Sequence, residues 1–228
     1  MVHPRVHQLH VSDTKQVDLP ESDLPDLDRL ALLVVDVQHG FDDAGYWGPR
    51  NNPGCEDNIA VLLRSWRQHG RPVVFVRHDS TQAQSPLRPG QPGNAFKSVM
   101  TGDPDLLITK TVNSCFNGAP SLDGWLRSQE LDGFVLAGIT TNHCAETTAR
   151  VGGNMGYQVL FALDATHTFD RPGPDGQVLT AEELARATAT NLHGEFATVV
   201  STRQLVGEHS SADTSTSTAP LGCGDKTR

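Results

Sequence analysis

The stretch that decides the fold is Leu131 to Arg150, LDGFVLAGITTNHCAETTAR. Its apolar run at 134–137 ends at Gly138, and a short polar bend leads from there to Cys144. Beyond Cys144 the less polar side chains recur at helical spacing. The stretch therefore predicts a strand, a tight turn and a helix that carries a cysteine in its first turn.

A thiol in the first turn of a helix is a candidate nucleophile. The positive end of the helix dipole and the unpaired N–H groups of that turn both favour the thiolate. We therefore expect Cys144 to be an activated nucleophile. The alternative is that it is a small buried apolar side chain, as most buried cysteines are.

The rest of the chain repeats this alternation of strands and helices. Short apolar runs predict strands at 30–37, 72–77, 106–110, 134–137, 158–163 and 197–201. Helical periodicity predicts helices at 57–70, 122–126, after Cys144 and at about 180–193, where Thr180 and Glu183 have capping-box spacing. We predict a single doubly wound α/β domain, with a mainly parallel six-stranded sheet and helices on both faces.

Composition and charge exclude several classes of protein. The 228 residues are 37% hydrophobic and carry a net charge of −9, without a basic cluster for binding nucleic acid. No apolar run is long enough to cross a membrane, and the first residues lack the apolar core of a signal peptide. The cysteines at 55, 115, 144 and 223 show no disulfide or CxxC spacing. We expect a cytoplasmic protein with reduced thiols and no nucleic-acid or membrane partner.

The composition along the chain predicts three segments. Residues 1–28 read as an N-terminal arm, 29–206 as the catalytic domain, and 207–228 as a disordered low-complexity tail. Inside the domain, residues 80–104 have few apolar side chains and form a loop about twice the usual upper length. This loop is either a lid over the site or a contact to a neighbouring subunit.

Reactive side chains recur where the predicted strands end. In a sheet of this kind, ligands bind at the carboxyl ends of the strands. Asp36, Lys110 and Cys144 are expected to meet there, with Asp36 accepting the thiol proton and Lys110 balancing the negative charge. Asp164, at another strand end, is expected to shape the following loop through hydrogen bonds to nearby N–H groups.

Over roughly residues 30–201 the chain resembles the isochorismatase-like (nicotinamidase-type) cysteine hydrolases. The resemblance rests on ALLVVDVQHGF around Asp36, LLITKTVNSCF around Lys110, and GITTNHCAETTARVGGNMGY around Cys144, followed by DATHTF. It implies that these three residues form a triad, which hydrolyses a C–N bond of a small molecule through a thioester.

The resemblance also implies a cis peptide bond between Ile139 and Thr140, with the N–H groups of Thr140 and Cys144 forming an oxyanion hole. Family members that act as isochorismatases have no cysteine at this position, so Cys144 argues against vinyl-ether hydrolysis. The Asp-x-His metal motif of nicotinamidases is missing, and NNPGCEDN at 51–58 does not supply it. No metal and no cofactor are therefore expected.

The substrate expected from this resemblance is a carbamoyl, ureido or other small amide compound, and the assembly expected is a homo-oligomer, either a dimer or a tetramer. Two alternatives remain open. One is a non-hydrolytic thiol-binding or redox-responsive module on the same fold. The other is a nicotinamidase-type or isochorismatase-type hydrolase.

Several side chains on the strand-end loops are candidates for binding substrate. Aromatic residues there form either a pocket wall or packing contacts: Phe41, Tyr46, Trp47 and Phe116. His78 either faces the ligand or is structural, and Thr141 and Asn142 either bond substrate or shape the turn. Four basic residues are candidate anchors for a substrate carboxylate: Arg50, Arg77, Arg88 and Lys97.

Overall fold

The computed structural model describes residues 24–207. The predicted tail beyond Gly207 and most of the predicted arm lie outside this range. The strands are β1 (Leu30–Val35), β2 (Val73–His78), β3 (Leu106–Lys110), β4 (Gly133–Ile139), β5 (Gln158–His167), β6 (Arg171–Pro172), β7 (Val178–Leu179) and β8 (Thr198–Val200). The helices are α1 (Ala44–Trp47), α2 (Cys55–Gln68), α3 (Leu122–Ser128), α4 (Glu146–Asn154), α5 (Ala181–Leu192) and α6 (Thr202–Val206).

Six of these strands form one sheet in the order β3-β2-β1-β4-β5-β8, and every neighbouring pair is parallel. The predicted doubly wound α/β fold is therefore confirmed. The strand order reverses between β1 and β4, which makes that position the topological switch point of the sheet. A crevice for ligands is expected at the carboxyl ends of the strands there.

The sheet is covered on both faces because successive residues of a strand point to opposite sides. In β1, Leu30, Leu32 and Val34 pack with α2 and α6, whereas Ala31 and Leu33 pack with α3, α4 and α5. The fully buried Trp66 of α2 also donates from Nε1 to the Leu30 carbonyl at 3.1 Å. This double cover leaves the ends of the strands as the accessible part of the sheet.

Several local features differ from the sequence-based predictions. The strand predicted at 158–163 continues to His167, so Asp164 lies within β5 and not at its end. The helix after β4 begins with a π-helical turn, Thr141–Ala145, so that Cys144 lies in this turn and α4 starts only at Glu146. The segment after β5, which reads as a loop, contains the short antiparallel hairpin of β6 and β7. Both hairpin strands are two exposed residues long, so they lack the apolar alternation by which strands are predicted.

The predicted capping box at the start of α5 is confirmed. The Thr180 N–H donates to Glu183 Oε2 at 2.8 Å, and the Glu183 N–H donates to Thr180 Oγ1 at 3.2 Å. Between residues 24 and 207, no helix is long and apolar enough to span a bilayer.

Candidate active site

Asp36 and Lys110 form a buried ion pair at the carboxyl edge of the sheet. Asp36 directly follows β1 and Lys110 ends β3, and neither side chain is exposed to solvent. Lys110 Nζ lies 2.6 Å from Asp36 Oδ2. The second carboxylate oxygen, Oδ1, has no hydrogen-bond partner among residues 24–207. This oxygen is therefore available to accept a proton.

Cys144 lies beside this ion pair at the switch point. Asp36, His78 and Cys144 each place a side-chain ligand atom within 4.8 Å of the other two. The Cys144 residue is 7% exposed, and its Sγ is 3.7 Å from Asn113 Oδ1. The structure thus brings together the three residues that the sequence analysis proposed as a triad.

The surroundings of Cys144 favour the protonated form of its thiol. Burial raises the pKa of the Cys144 thiol well above its usual value, the charge of Asp36 raises it further, and Lys110 offsets these effects only in part. Desolvation and the nearby carboxylate thus oppose the thiolate, which the start of the helix was expected to favour. A nucleophilic Cys144 needs a base, and Asp36 stands within reach of it.

Lys110 remains charged despite its burial. Burial alone would lower the pKa of the Lys110 ammonium, but the negative charge of Asp36, and then that of a Cys144 thiolate, raise it above its usual value. Lys110 therefore supplies a permanent positive charge beside both groups. That charge would stabilise a thiolate formed next to it.

His78 ends β2, the strand that lies between β1 and β3 in the sheet. Its Nδ1 is 3.3 Å from Lys110 Nζ. Its backbone is held by Gln38, whose Oε1 accepts from the His78 N–H at 2.8 Å and whose Nε2 donates to the His78 carbonyl at 3.0 Å. Asn94, from the long loop at 80–104, donates to the same carbonyl at 3.2 Å. This loop therefore packs on the carboxyl edge of the sheet of its own chain.

The turn before Cys144 contains the predicted cis peptide bond between Ile139 and Thr140. Thr141 is fully buried and its hydroxyl donates to Thr166 Oγ1 at 2.9 Å. Asn142 Oδ1 accepts a hydrogen bond from the Thr168 hydroxyl. Both side chains are thus bonded to β5 or the residue that follows it, and these contacts favour a role in shaping the turn.

The predicted aromatic residues fall into two groups. Phe41 and Trp47 have ring centroids 4.8 Å apart, and Trp47 stacks on Phe169 at 5.4 Å. Tyr46 packs edge-on against Trp47 and is 42% exposed. Phe116 packs instead against Tyr157 and Phe134 on the other face of the sheet. The structure therefore separates Phe116 from the other three.

Three of the four candidate carboxylate anchors are already paired with carboxylates of this chain. Arg77 Nε lies 3.0 Å from Asp79 Oδ1, and Arg88 is exposed. The other two belong to a group that we call the Glu56 cluster: Asp42, Arg50, Glu56, Lys97 and His167. In it Arg50 contacts both Glu56 oxygens at 2.8 Å, and Lys97 lies 2.6 Å from Asp42 and 2.7 Å from Glu56.

Asp164 differs from its prediction. Its carboxylate accepts hydrogen bonds from the N–H and the hydroxyl of Thr202, all at 2.9–3.0 Å. Thr202 begins α6, so Asp164 ties that helix to β5, and its carboxylate also accepts from the nearby N–H groups of Asp164 and Ala165. The sequence distance of 38 residues hides this contact from local pattern analysis.

Comparison with known proteins bears on what such a site does. The isochorismatase domain family matches residues 30–204, which include every strand of the main sheet. The chain belongs to the isochorismatase family. Isochorismatase family protein YrdC of Bacillus subtilis (strain 168) is 37% identical over 182 residues, 79% of this chain and 96% of that protein. An isochorismatase-family structure from Chromobacterium violaceum ATCC 12472 is also 37% identical, with a TM-score of 0.74, covering 79% of this chain and 93% of its own.

Other members of the isochorismatase family that resemble this chain carry hydrolase names. Nicotinamidase 3 of Arabidopsis thaliana is 29% identical, covering 85% of this chain and 95% of its own. Ureidoacrylate amidohydrolase RutB of Methylorubrum extorquens is also 29% identical, covering 67% and 75%. A cysteine hydrolase structure from Pseudomonas syringae pv. phaseolicola 1448A has a TM-score of 0.71 at 25% identity, covering 80% and 93%. The family and the relatives make this chain a hydrolase of the isochorismatase type.

The donor atoms of this isochorismatase-family site fit a metal ion poorly. Asp36, His78 and Cys144 are close enough to share a cation. However, the Lys110 ammonium already occupies one Asp36 oxygen at 2.6 Å and faces His78 Nδ1. A metal cation would have to displace or approach this charged group, which is electrostatically unfavourable.

Two residues near the site escaped the sequence analysis. Asn113 contacts the thiol, and Gln38 clamps the backbone of His78. Gln38 lies two residues after Asp36 in the motif around β1, and it is fully buried. A polar amide in an otherwise apolar strand-end motif is a signal for such a role, because buried amides require hydrogen-bond partners.

Proposed function

We propose that this isochorismatase-family hydrolase is a cysteine amidohydrolase, which cleaves an amide, carbamoyl or ureido C–N bond of a small molecule. The observation that supports it is the convergence of Asp36, Lys110 and Cys144 at the switch point of the sheet. A thiol, a carboxylate with a free oxygen and a permanent cation are the groups that nucleophilic acyl transfer requires.

In the first half of the proposed reaction, Asp36 Oδ1 takes the proton of Cys144 Sγ. The sulfur then bonds to the carbonyl carbon of the substrate, and the carbonyl oxygen becomes an oxyanion. We assign the stabilisation of this oxyanion to the backbone N–H groups of Thr140 and Cys144. The C–N bond breaks when Asp36 returns the proton to the leaving nitrogen, which leaves as ammonia or an amine.

In the second half, water hydrolyses the thioester. Asp36 accepts a proton from the water, whose oxygen bonds to the acyl carbon. The C–S bond then breaks, and the proton on Asp36 returns to the sulfur, so that the thiol and the carboxylate are both regenerated. Lys110 balances the negative charge of the pair during both steps.

The names of two relatives suggest what to test first as substrates. One is a nicotinamidase and the other a ureidoacrylate amidohydrolase, and both names denote cleavage of an amide-type C–N bond. The ion pairing of Arg50, Arg77 and Lys97 leaves these cations without free charge for a substrate carboxylate.

The test is release of ammonia from a panel of nicotinamide, ureido compounds, carbamoyl amino acids and simple amides. We expect turnover of at least one compound by the wild type and none by Cys144→Ala, with unchanged thermal stability. The matched control is Cys55→Ala, which removes another buried thiol and is expected to keep its activity.

Mass spectrometry separates this proposal from the non-hydrolytic alternative. After brief incubation with a substrate, we expect the intact wild-type protein to carry an acyl group on Cys144. Substantial amide hydrolysis by Cys144→Ala would refute the mechanism. Oxidation of Cys144 without acylation or turnover on any compound would favour the thiol-binding or redox-responsive module.

A further inference from the structure

His78 lies where the strand order places a third group between Asp36 and Lys110. The strand that it ends, β2, is hydrogen-bonded to β1 on one side and to β3 on the other. His78 and Lys110 are direct register partners in the parallel pair of β2 and β3. Register partners point to the same face of a sheet, which explains why the imidazole and the ammonium meet.

The backbone of His78 is secured without help from its imidazole. Gln38 bonds both its N–H and its carbonyl, and Asn94 bonds the carbonyl a second time. Among residues 24–207, the one hydrogen bond recorded for the ring is the contact of Nδ1 with Lys110 Nζ at 3.3 Å. An ammonium group has only donors, so Nδ1 must be the acceptor and Nε2 must carry the proton.

We propose that His78 is a positioning residue, whose unprotonated Nδ1 holds the Lys110 ammonium against Asp36 and Cys144. The Lys110 side chain must reach across β2 to meet Asp36 on β1, and an acceptor on β2 directs it there. Once protonated, His78 loses this acceptor and places a second positive charge beside Lys110. The inference rests on the proposed function for its kinetic consequences, but not for its structural ones.

The charges around His78 agree with a neutral imidazole at physiological pH. Burial lowers the pKa of His78, Lys110 from β3 lowers it further, and Asp36 from β1 and Asp79 from its own loop raise it, with a net decrease. The Cys144 thiol also lies close to His78, and the charge of the adjacent Arg77 is paired with Asp79. His78 therefore acquires its proton only below the usual pKa of histidine.

Two variants distinguish positioning from simple packing. His78→Ala removes the acceptor, whereas His78→Asn replaces Nδ1 with an amide oxygen that also accepts and does not titrate. We expect His78→Ala to lower kcat/KM about two- to tenfold at pH 7.5, the effect of one hydrogen bond, and His78→Asn to restore most of it. We also expect the low-pH decline of kcat/KM that His78 causes to vanish in His78→Asn.

A second readout needs no substrate. The rate at which iodoacetamide alkylates Cys144 at pH 8, followed by peptide mass spectrometry, reports how well Lys110 stabilises the thiolate. We expect a decrease of about two- to tenfold in His78→Ala and recovery in His78→Asn. His69→Asn, an exposed histidine at the end of α2, is the matched control and should leave both readouts unchanged.

The proposal is overturned if iodoacetamide alkylates Cys144 in His78→Ala at the wild-type rate. It is also overturned if the alkylation rate in His78→Asn is as low as in His78→Ala. Persistence of the full low-pH decline in His78→Asn would refute the titration of His78 as its cause. If no amide is a substrate, the proposed function fails, while the alkylation rates still decide whether His78 positions Lys110.

Discussion

At the scale of single residues, the ion pair of Asp36 and Lys110 has no access to solvent, and this burial sets its energetics. Removing two charges from water is costly, and their mutual attraction compensates only while both are present. Asp36 also has a backbone φ of 55°, in the left-handed region that few residues other than glycine adopt. The site thus combines a buried charge with an uncommon backbone conformation at one residue.

Lys110→Met tests the structural side of this pair. It leaves the Asp36 carboxylate buried without its counter-charge, and we expect a loss of about 3–5 kcal/mol in the free energy of unfolding, measured with urea. The control is Arg127→Met, which breaks an exposed pair with Asp123 on α3 and should leave the unfolding free energy nearly unchanged. Similar losses in the two variants would contradict the role given to burial.

At the scale of elements, the switch point depends on the close approach of β1 and β4. Gly138 is paired with Val35, and a Cβ on Gly138 would lie 2.1 Å from the Val35 carbonyl oxygen. Its φ of 126° is also one that side chains disfavour. No residue with a side chain fits there, so the glycine sets how closely the strands that lead to Asp36 and Cys144 come together.

Gly138→Ala is therefore expected to cost more than about 3 kcal/mol or to prevent folding. The matched variant is Gly156→Ala, where φ is also positive, at 86°, but no atom lies within 4 Å of the new Cβ. It should cost only about 1–2 kcal/mol, the price of the backbone conformation. Soluble yield and urea unfolding of both variants measure the difference. Equal unfolding free energies of the two variants would contradict the expectation that the contact with Val35 destabilises Gly138→Ala.

At the scale of the whole molecule, the Glu56 cluster joins parts of the chain that are distant in sequence. It links the loop after β1 (Asp42, Arg50) to the start of α2 (Glu56), the long loop after β2 (Lys97) and the end of β5 (His167). His167 Nε2 lies 3.9 Å from Glu56 Oε1, and neither ring nitrogen has a hydrogen-bond partner among the described residues. The cluster therefore contains the buried imidazole of His167, and this burial favours its neutral form.

This imidazole makes the stability of the protein depend on pH. Burial, and then the charge of Arg50, lower the pKa of His167 to about 3, against about 6.5 in an unfolded chain. As the pH falls below 6.5, the unfolded state binds a proton that the folded state does not. The neutral His167 therefore makes its full contribution to stability above about pH 6.5, and this contribution declines toward about pH 3.

We expect His167→Leu to flatten the decline in unfolding free energy between about pH 6.5 and pH 4 by on the order of 3 kcal/mol. Urea unfolding at each pH measures it. His69→Leu, which replaces an exposed histidine, should retain the wild-type decline. Parallel declines in the wild type and His167→Leu would mean that other groups, such as Glu56, account for the acid sensitivity.

Local chemistry, by itself, determined the strands, the main helices and the capping box of α5. Apolar runs in the sequence predict the buried strands. Asp36, Lys110 and Cys144 each lie at the end of such a strand or in the turn after it. The parallel topology then sends those ends to one edge, so the candidate triad follows from the order of the elements. The resemblance to a hydrolase family added the expectation of thioester chemistry and of the cis peptide bond, which the structure contains.

Only the tertiary structure decided what depends on contacts between distant segments. The raised pKa of the Cys144 thiol comes from burial and from Asp36, 108 positions earlier in the chain, which the helix-start argument could not include. Contacts between distant segments also include the hydrogen bonds of Gln38 to His78 and of Asp164 to α6. The ion pairs of Arg50 and Lys97 are of the same kind. Periodicity reports which face of an element is buried, but desolvation and hydrogen bonding depend on which groups the fold places across from it.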